Sequence, residues 1–382
     1  MQHCHEIINL SWSRQSIMIK HSLVRLLQPL SFFNTKRTRE IFKVNPTSTP
    51  VRTEAEKTDI HVFDYNPTFL EEKKFPSVSD CFQYRDNKNV TWINIDGIKK
   101  TDVEEICQHY NIHYLITEDI LSIGQRPKMD ELDPVLYCLL NMLYFNEATG
   151  SVETEQISLI LGKNFVISVQ EIPDKDVFGT IREKLKLSNS KLRISGADYL
   201  FYSLLDMIVD HYFVVMEKLS TRIEQIEERV IRRSDKRSLA EINNLRKELF
   251  VLKGNVSPVR DLVNGFVRSE SDLLEEKNTK YFKDVLDHII QANDLAENLR
   301  DLMINVQDLY ISQVNLKMNE VMKVMAIVTC VLTPATVIGG IFGMNFDVIP
   351  LSHHVSGFYY TVLVMAVTMA LFLFYFWRKR WL

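Results

Sequence analysis

The sequence predicts an α+β membrane protein with an α/β cytoplasmic domain, long stalk helices and two transmembrane helices. Three observations indicate this class: short β-rich runs in the first half, then apolar repeats at helical spacing, then two uncharged apolar windows. The predicted boundaries are 1–55 for a basic extension, 56–190 for the α/β domain, 191–323 for the stalk and 324–382 for the membrane helices.

The composition is that of a chain that folds. Hydrophobic residues make up 46% and charged residues 25%, with 12 Gly and 11 Pro, so disordered and collagen-like chains are excluded. The mean hydropathy is -0.08, because most of the chain is polar and only its C-terminal end is strongly apolar. A transporter with many spans is therefore excluded. The five cysteines form no C-x-x-C pair, so we expect reduced thiols rather than a disulfide framework or a cysteine zinc site.

Apolar windows predict the membrane helices. Residues 324–342 and 358–377 contain no charged side chain, and each window of about 20 residues matches the thickness of a bilayer core. Lysines precede the first window, the sequence RKR follows the second, and the segment between the windows has neither Lys nor Arg. This bias places both termini in the cytoplasm. The alternative interpretation is that both windows are buried core helices.

The first 50 residues are basic, since they hold seven Lys and Arg against two Glu. Such a segment is typical of a transit peptide or of a membrane-surface segment. It lacks the small-residue cleavage pattern of a secretory signal. We favour a disordered tail for residues 1–55, because the apolar stretch within them is short.

The predicted α/β domain has β-rich runs between helical pieces. These runs are 90–95, 135–144, 157–161 and 164–170. Thr101 and Glu104 have the spacing of a capping box, which marks a helix start. The sequence contains no P-loop, H-E-x-x-H, nucleophile elbow or dinucleotide fingerprint, so we expect a protein that is not an enzyme. We also expect no nucleic-acid partner.

From residue 197 onward the pattern becomes that of long helices that pack side by side. Apolar residues recur at steps of three or four in two sets, with a polar turn at 232–236 between them. The sets are Leu204, Ile208, Tyr212, Val215, Leu219, Ile223, Ile226 and Val230, then Ile242, Leu245, Leu249, Leu252, Val256, Val259 and Val263. A third helix is predicted from near Tyr281 to Pro334, about 80 Å long at 1.5 Å per residue, and it leads into the first membrane helix.

One face of this third helix is polar. Residues at steps of seven, four or three share the face, namely Asp308, Asn315, Asn319, Met322, Ala326, Thr329, Thr333, Thr336 and Gly340. Polar groups in a span face a cavity or another helix, so the stripe favours a pore lining. The alternative is close helix packing, since Gly339-x-x-x-Gly343 has the form of a dimerisation motif. A pore also requires a homo-oligomer, because two spans alone would expose the polar path to lipid.

The tripeptide Gly343-Met344-Asn345, placed at the outer end of the first span and followed by a second span and a basic end, resembles the CorA family of magnesium channels. The resemblance extends over nearly the whole chain after residue 56. It is carried by the segments TWINIDGIKKTDVEEI, EDILSIGQRPK, ADYLFYSLLD, YFKDVLDH and MNEVMKVMAIVT. Residues 1–55 are not covered.

This resemblance implies a funnel-shaped homopentamer in the inner membrane of a bacterium, with the first spans lining the pore. It implies uptake of hydrated Mg²⁺ down the membrane potential, without ATP, and closure when cytoplasmic Mg²⁺ is high. The expected partners are further copies of the chain, the lipid bilayer and divalent cations. Mg²⁺ is then both the transported and the regulatory ion, and Co²⁺ is a second transported ion.

The resemblance also implies roles for pore residues. Backbone carbonyls of Gly343 and Met344 with the amide of Asn345 would form the selectivity filter, because oxygen atoms can hydrogen-bond to the tightly held waters of Mg²⁺. Thr336 and Asn319 match deeper polar rings, and Thr329 and Thr333 lie between them on the stripe. Asp308 would add negative charge at the cytoplasmic mouth, while Met322 and Met325 match a hydrophobic constriction. For the methionines, ordinary helix packing is the alternative.

Regulatory carboxylates are a further implication of the resemblance. Asp119 with Asp284 of a neighbouring subunit matches the main regulatory Mg²⁺ site, and Glu118 with Asp206 matches a second one. Glu118 and Asp119 follow Thr117 at a predicted helix start. The alternative is therefore favourable charge at a helix N-terminus for this pair and solvated helix faces for the other carboxylates.

The predicted outer loop departs from the family pattern. Members of the family often carry an acidic Met-Pro-Glu-Leu after the tripeptide, whereas here Asp347 is the only acid, which weakens cation attraction at the mouth. His353 and His354 suggest a transition-metal site, with solvated imidazoles as the favoured alternative. Two other functions stay open: a cobalt and nickel importer or zinc exporter of the same architecture, and a membrane-tethered coiled-coil scaffold.

Overall fold

A computed structural model of the chain describes residues 54–55, 57–175, 177–344 and 355–381. The chain divides into two compact units. One unit comprises the chain up to Ile223 together with Asn243–Leu302, and the other comprises Glu224–Ile242 and Met303–Leu382.

The first unit is built on a seven-stranded sheet with the strand order β2-β1-β3-β7-β6-β5-β4. The strands are β1 (Asp59–Tyr65), β2 (Leu70–Phe75), β3 (Val90–Asp96), β4 (Lys128–Leu132), β5 (Val135–Asn146), β6 (Ser151–Leu161) and β7 (Phe165–Gln170). β3 and β7 pair in parallel, and the other neighbours pair antiparallel. The four predicted β-rich runs are confirmed as β3, β5, β6 and β7.

Two short helices follow β3, namely α1 (Lys100–His109) and α2 (Tyr114–Leu121). The predicted capping box is wrong. Helix α1 begins one residue before Thr101, with Lys99 as its N-cap, and no side chain caps it. Thr101 already has a helical backbone within the first turn, whereas an N-cap residue is not helical. Its hydroxyl donates instead to Asp102 Oδ1 at 3.4 Å.

The alternation along β3 separates the two faces of the sheet. Ile93 and Ile95 belong to an apolar cluster that also contains residues of α1 and α2. Trp92 and Asn94 point to the opposite face and are buried as well. There, Trp92 Nε1 donates to Ser168 Oγ at 2.9 Å, and Ser168 Oγ donates to Asn94 Oδ1 at 2.6 Å. Trp92, Ser168 and Asn94 thus form a chain of hydrogen bonds on this face.

Long helices cover part of the sheet. The helices after β7 are α3 (Gly179–Lys186), α4 (Lys191–Ile194), α5 (Ala197–Arg232) and α6 (Lys236–Arg268). Every residue of the two apolar sets predicted from the sequence is buried, which confirms the helical period. Tyr212 of α5 donates to the Asn141 carbonyl of β5 at 2.7 Å, and Glu248 of α6 accepts from the Val152 amide of β6 at 2.7 Å. These bonds hold α5 and α6 against the sheet.

The third long helix, α7 (Thr279–Phe342), is 64 residues long, and α8 (Gly357–Arg378) follows it. As predicted, α7 starts near Tyr281, and it continues through Pro334 without interruption. By length and composition, α5, α7 and α8 could each cross a membrane. The apolar window of α5 is 56% buried within the chain, whereas those of α7 and α8 are only 11% and 6% buried. Helix α5 therefore already has a protein environment, while α7 and α8 leave their apolar windows uncovered.

Candidate functional site

The polar stripe predicted from the sequence lies on one continuous face of α7. At 100° per residue its members fall within a sector of about 100°. All of them are exposed in the single chain, namely Asp308, Asn315, Asn319, Met322, Ala326, Thr329, Thr333, Thr336 and Gly340. Within the uncharged window 324–342, the helix thus carries the hydroxyls of Thr329, Thr333 and Thr336 through an otherwise apolar segment.

The threonines of this face present acceptors. Each hydroxyl donates to the backbone carbonyl four residues earlier, at 2.8 Å for Thr329, 2.7 Å for Thr333 and 3.1 Å for Thr336. Because the hydroxyl proton is engaged, the lone pairs of the oxygen remain for a second partner. Waters around a cation direct their hydrogens outward, so a row of acceptors can bind a hydrated cation.

Methionines interrupt the polar groups of this face. Met322 and Met325 lie between Asn319 and Thr329 in the sequence, and their exposed fractions are 61% and 64%. Ordinary packing within the chain therefore does not account for either side chain. Met325 lies about 20° outside the polar sector. Copies of α7 around an axis would place an apolar ring here, between two polar levels.

The helix ends at the predicted filter. Helix α7 stops at Phe342, the Gly343 amide donates to the Gly339 carbonyl at 2.9 Å, and the Met344 amide donates to the Ile341 carbonyl at 3.2 Å. A β-carbon at Gly343 would lie 3.3 Å from the Gly339 carbonyl oxygen, so the turn leaves little room for a side chain. The carboxyl end of a helix carries partial negative charge, which attracts cations.

Asn345, Asp347, His353 and His354 lie outside the described residues. The assignments made for them from the sequence therefore remain predictions.

The first unit contains a second group of ligand-type side chains. Asp206 and Asp210 lie one turn apart on α5, and Asp284 and His288 lie one turn apart on α7. His288 Nδ1 is 3.7 Å from Asp206 Oδ1 and 3.3 Å from Asp210 Oδ1. Burial raises the pKa of Asp206 to about 6; Asp210 and Asp284 add to the rise, while His288 and a hydrogen bond from Tyr202 oppose it.

The other two predicted regulatory residues lie on α2. The prediction that Glu118 and Asp119 stand at a helix start is wrong, because α2 begins at Tyr114 and both residues lie in its second half. The helix-N-terminus explanation for their charge therefore fails. Glu118 is exposed. Asp119 is partly buried and forms an ion pair with Lys128 of β4, with 2.5 Å between Oδ2 and Nζ.

Sequence reasoning missed three residues of these groups: Asp210, His288 and Lys128. The signal for the first two was available, since both stand four residues after a predicted site residue, at Asp206 and Asp284. Lys128 gave no signal, because only the fold brings β4 beside α2. Within the single chain, the structure brings Asp206 and Asp284 close enough to interact, whereas the sequence had assigned them to different sites.

The fold, with its mixed sheet, long helices and uncovered apolar helices, defines a class of membrane-associated α+β protein. The protein belongs to the family of CorA-like Mg²⁺ transporter proteins, whose sequence profile matches residues 87–380. The resemblance seen in the sequence is thereby confirmed.

Individual relatives agree with this assignment. The chain is 37% identical to the cobalt/magnesium transport protein CorA of Thermotoga maritima over 328 residues, which cover 86% of this chain and 93% of the relative. The complete structure of the CorA magnesium transporter from Methanocaldococcus jannaschii superposes with a TM-score of 0.70 at 21% identity, covering 86% of this chain and 100% of that chain. The full-length CmaX protein gives a TM-score of 0.62 at 16% identity, with the same coverage of both chains. At these identities the two structures support the fold alone.

Proposed function

We propose that the protein is a magnesium channel that takes up hydrated Mg²⁺ down the membrane potential and closes when cytoplasmic Mg²⁺ is high. The observation that carries the proposal is the exposed row of acceptors on one face of α7, which continues through the apolar and uncovered C-terminal part of this helix. Membership of the CorA-like family supports Mg²⁺ as the ion.

The proposed path is built from copies of α7. One helix presents the acceptors along a single face, so several copies are needed to enclose a polar path away from lipid. We take a homopentamer with α7 inside, as the family resemblance implies. The proposed filter is Gly343, Met344 and Asn345, and the face from Asp308 to Thr336 lines the path. Met322 and Met325 form its apolar constriction, where loss of water would stop conduction.

We assign the membrane spans to α8 and the C-terminal part of α7, since these carry the uncovered apolar windows. The positive charge that follows α8 places both termini in the cytoplasm, and the proposed location is the bacterial inner membrane. With this orientation, an inside-negative potential pulls the ion inward. Moving a doubly charged ion is favourable by about 4.6 kcal/mol per 100 mV, twice the value for a unit charge.

Closure is proposed to use carboxylates of adjacent subunits. Asp119 of one subunit and Asp284 of the next would share an ion, with Glu118 and Asp206 at a second position. In a single chain, Asp119 is already paired with Lys128 at 2.5 Å, so the regulatory ion has to compete with an ammonium group. Because of this competition, Mg²⁺ would bind the regulatory site only when its cytoplasmic concentration is high.

Co²⁺ is the second candidate ion. The relative from Thermotoga maritima is named as a cobalt/magnesium transport protein, and it is 37% identical to this chain. A filter made of amide and carbonyl oxygens would recognise the water shell rather than the metal, so it would separate similar hydrated ions poorly.

Two separate single-cysteine variants of α7 test the proposed path. In a Cys330→Ser background, Thr329→Cys places a thiol on the polar face, and Val328→Cys places a thiol one residue away, about 100° around the helix. External Cd²⁺ should block Mg²⁺ flux through the Thr329→Cys protein, because thiols that converge on an axis bind this soft ion tightly. Flux through the Val328→Cys protein should persist. Equal block of both proteins, or block of Val328→Cys alone, would reject this face as the ion path.

A further inference from the structure

The turn between α5 and α6 carries a concentration of positive charge. Residues 232–237, here called the basic turn, read RRSDKR, which gives four cationic side chains and one acid. All four cationic side chains are exposed. The basic turn belongs to the second unit of the chain, which also contains the uncovered apolar windows of α7 and α8.

Most of this charge is not neutralised within the chain. Arg232 pairs with Glu228, whereas Arg233, Lys236 and Arg237 form no ion pair in the part of the chain that the structure describes. The one acid of the basic turn accepts a hydrogen bond from the backbone amide of residue 238 at 2.9 Å. Lys236 and Arg237 lie in the first turn of α6, where the positive end of the helix dipole disfavours cations. The stability of the helices therefore does not explain these two side chains.

The basic turn contacts α7 just before the first proposed span. Lys317 Nζ donates to the Ser234 carbonyl at 3.2 Å, and the uncharged window of α7 begins at Val324, seven residues later. Seven residues of helix rise about 10 Å. The headgroup layer is about 5–8 Å thick on each side of the hydrocarbon core. At the level of Lys317, α7 is thus about 5 Å or less from the lipid surface, which is within the Debye length of about 8 Å at physiological ionic strength.

We propose that the basic turn docks on anionic phospholipid headgroups at the cytoplasmic surface of the membrane. A Lys or Arg close to an anionic surface contributes about a fivefold increase in affinity, equivalent to about 1 kcal/mol. The three cations without an ion pair would therefore contribute about a hundredfold. Lys317 and Lys323 add positive charge on α7 beside the same surface. The proposal uses the assignment of the spans made above, but it requires neither the filter nor transport of Mg²⁺.

Hydrogen exchange at the basic turn tests this docking. The purified full-length protein is placed in lipid nanodiscs of phosphatidylcholine, either alone or mixed with phosphatidylglycerol, and mass spectrometry measures exchange in peptides that cover the turn. In the wild type, these amides should exchange at least about fivefold more slowly in the anionic nanodiscs, and high salt should remove the difference. The triple variant Arg233→Gln, Lys236→Gln and Arg237→Gln should exchange equally in both lipids.

A matched control removes the same amount of charge far from the turn in sequence. Lys74, Lys163 and Lys184 are exposed residues of the first unit, and replacing all three with Gln should preserve the wild-type difference between the lipids. Equal exchange of the wild type in both lipids, or slowing that persists in the variant of the turn, would overturn the proposal. Equal slowing by inorganic phosphate in phosphatidylcholine nanodiscs would also overturn it, since the ligand would then be free phosphate. Because the readout does not involve Mg²⁺ flux, this proposal and the channel proposal can fail separately.

Discussion

Asn345→Ala is expected to abolish Mg²⁺ flux while the oligomer still assembles. In the proposed filter, the Asn345 amide oxygens bind the water shell of the ion, and Ala provides no acceptor. A hydrogen bond to a charged group contributes about 1.5–3 kcal/mol, so losing several such bonds around one ion lowers its occupancy by more than a hundredfold. The measurement is Mg²⁺ influx into proteoliposomes that contain equal amounts of wild type and variant.

The control for this variant is Asn345→Gln, which keeps the amide and extends its reach by one methylene group. It should retain part of the flux, and size-exclusion chromatography should give the same elution volume for all three proteins. Flux of Asn345→Ala at the wild-type rate would show that the filter lies elsewhere. Asn345 itself is outside the described residues, so the prediction rests on the family resemblance and on the end of α7 at Phe342.

The second large effect concerns closure. Asp119→Asn and Asp284→Asn should each keep the channel conducting at cytoplasmic Mg²⁺ concentrations that silence the wild type. Each change removes one side of the proposed intersubunit site, so the ion loses its preference for the closed state. Allosteric couplings of about 1–3 kcal/mol correspond to shifts of about 5- to 150-fold in the half-inhibiting concentration. The double variant should add little, because the proposal places the two residues in one site.

The ion pair of Asp119 with Lys128 suggests a variant that should shift the Mg²⁺ concentration for closure in the opposite direction. Lys128→Met removes the competing ammonium group, so closure should occur at lower Mg²⁺ than in the wild type. Patch-clamp recording with controlled cytoplasmic Mg²⁺ measures all of these variants. If Asp119→Asn and Asp284→Asn keep the wild-type response, these two carboxylates take no part in closure. If Lys128→Met shifts the response upward, the ion does not compete with Lys128.

The sheet was only partly predictable from sequence. Four of its five inner strands, β3, β5, β6 and β7, have apolar runs, because both of their faces are buried, whereas the inner strand β1 was not predicted. Strands β2 and β4 are the edges of the sheet, and their sequences, LEEKKF and KMDEL, are rich in charge and show no alternating pattern. Charged edge strands resist pairing with other chains, and this same property removes the hydrophobic signal that reveals a strand.

The candidate functional residues, like the strands, were only partly predictable from the sequence. The face of α7 was predictable because helical spacing alone brings Asn319, Thr329 and Thr333 together. The group of Asp206 with His288 depends on how α5 packs against α7, and sequence spacing does not determine that contact. For the same reason, the ion pair between α2 and β4 emerged only from the fold.

The central claim is that the chain conducts Mg²⁺ down the membrane potential, and flux into proteoliposomes tests it most directly. Purified protein is reconstituted with Mg²⁺ buffered at the same low concentration on both sides, without nucleotide or proton gradient. Potassium diffusion potentials then set the voltage. We predict no net flux at zero potential and influx that grows as the inside becomes more negative, with about 4.6 kcal/mol of driving force per 100 mV. Uptake that ignores the potential, or that requires ATP or a proton gradient, would contradict the account.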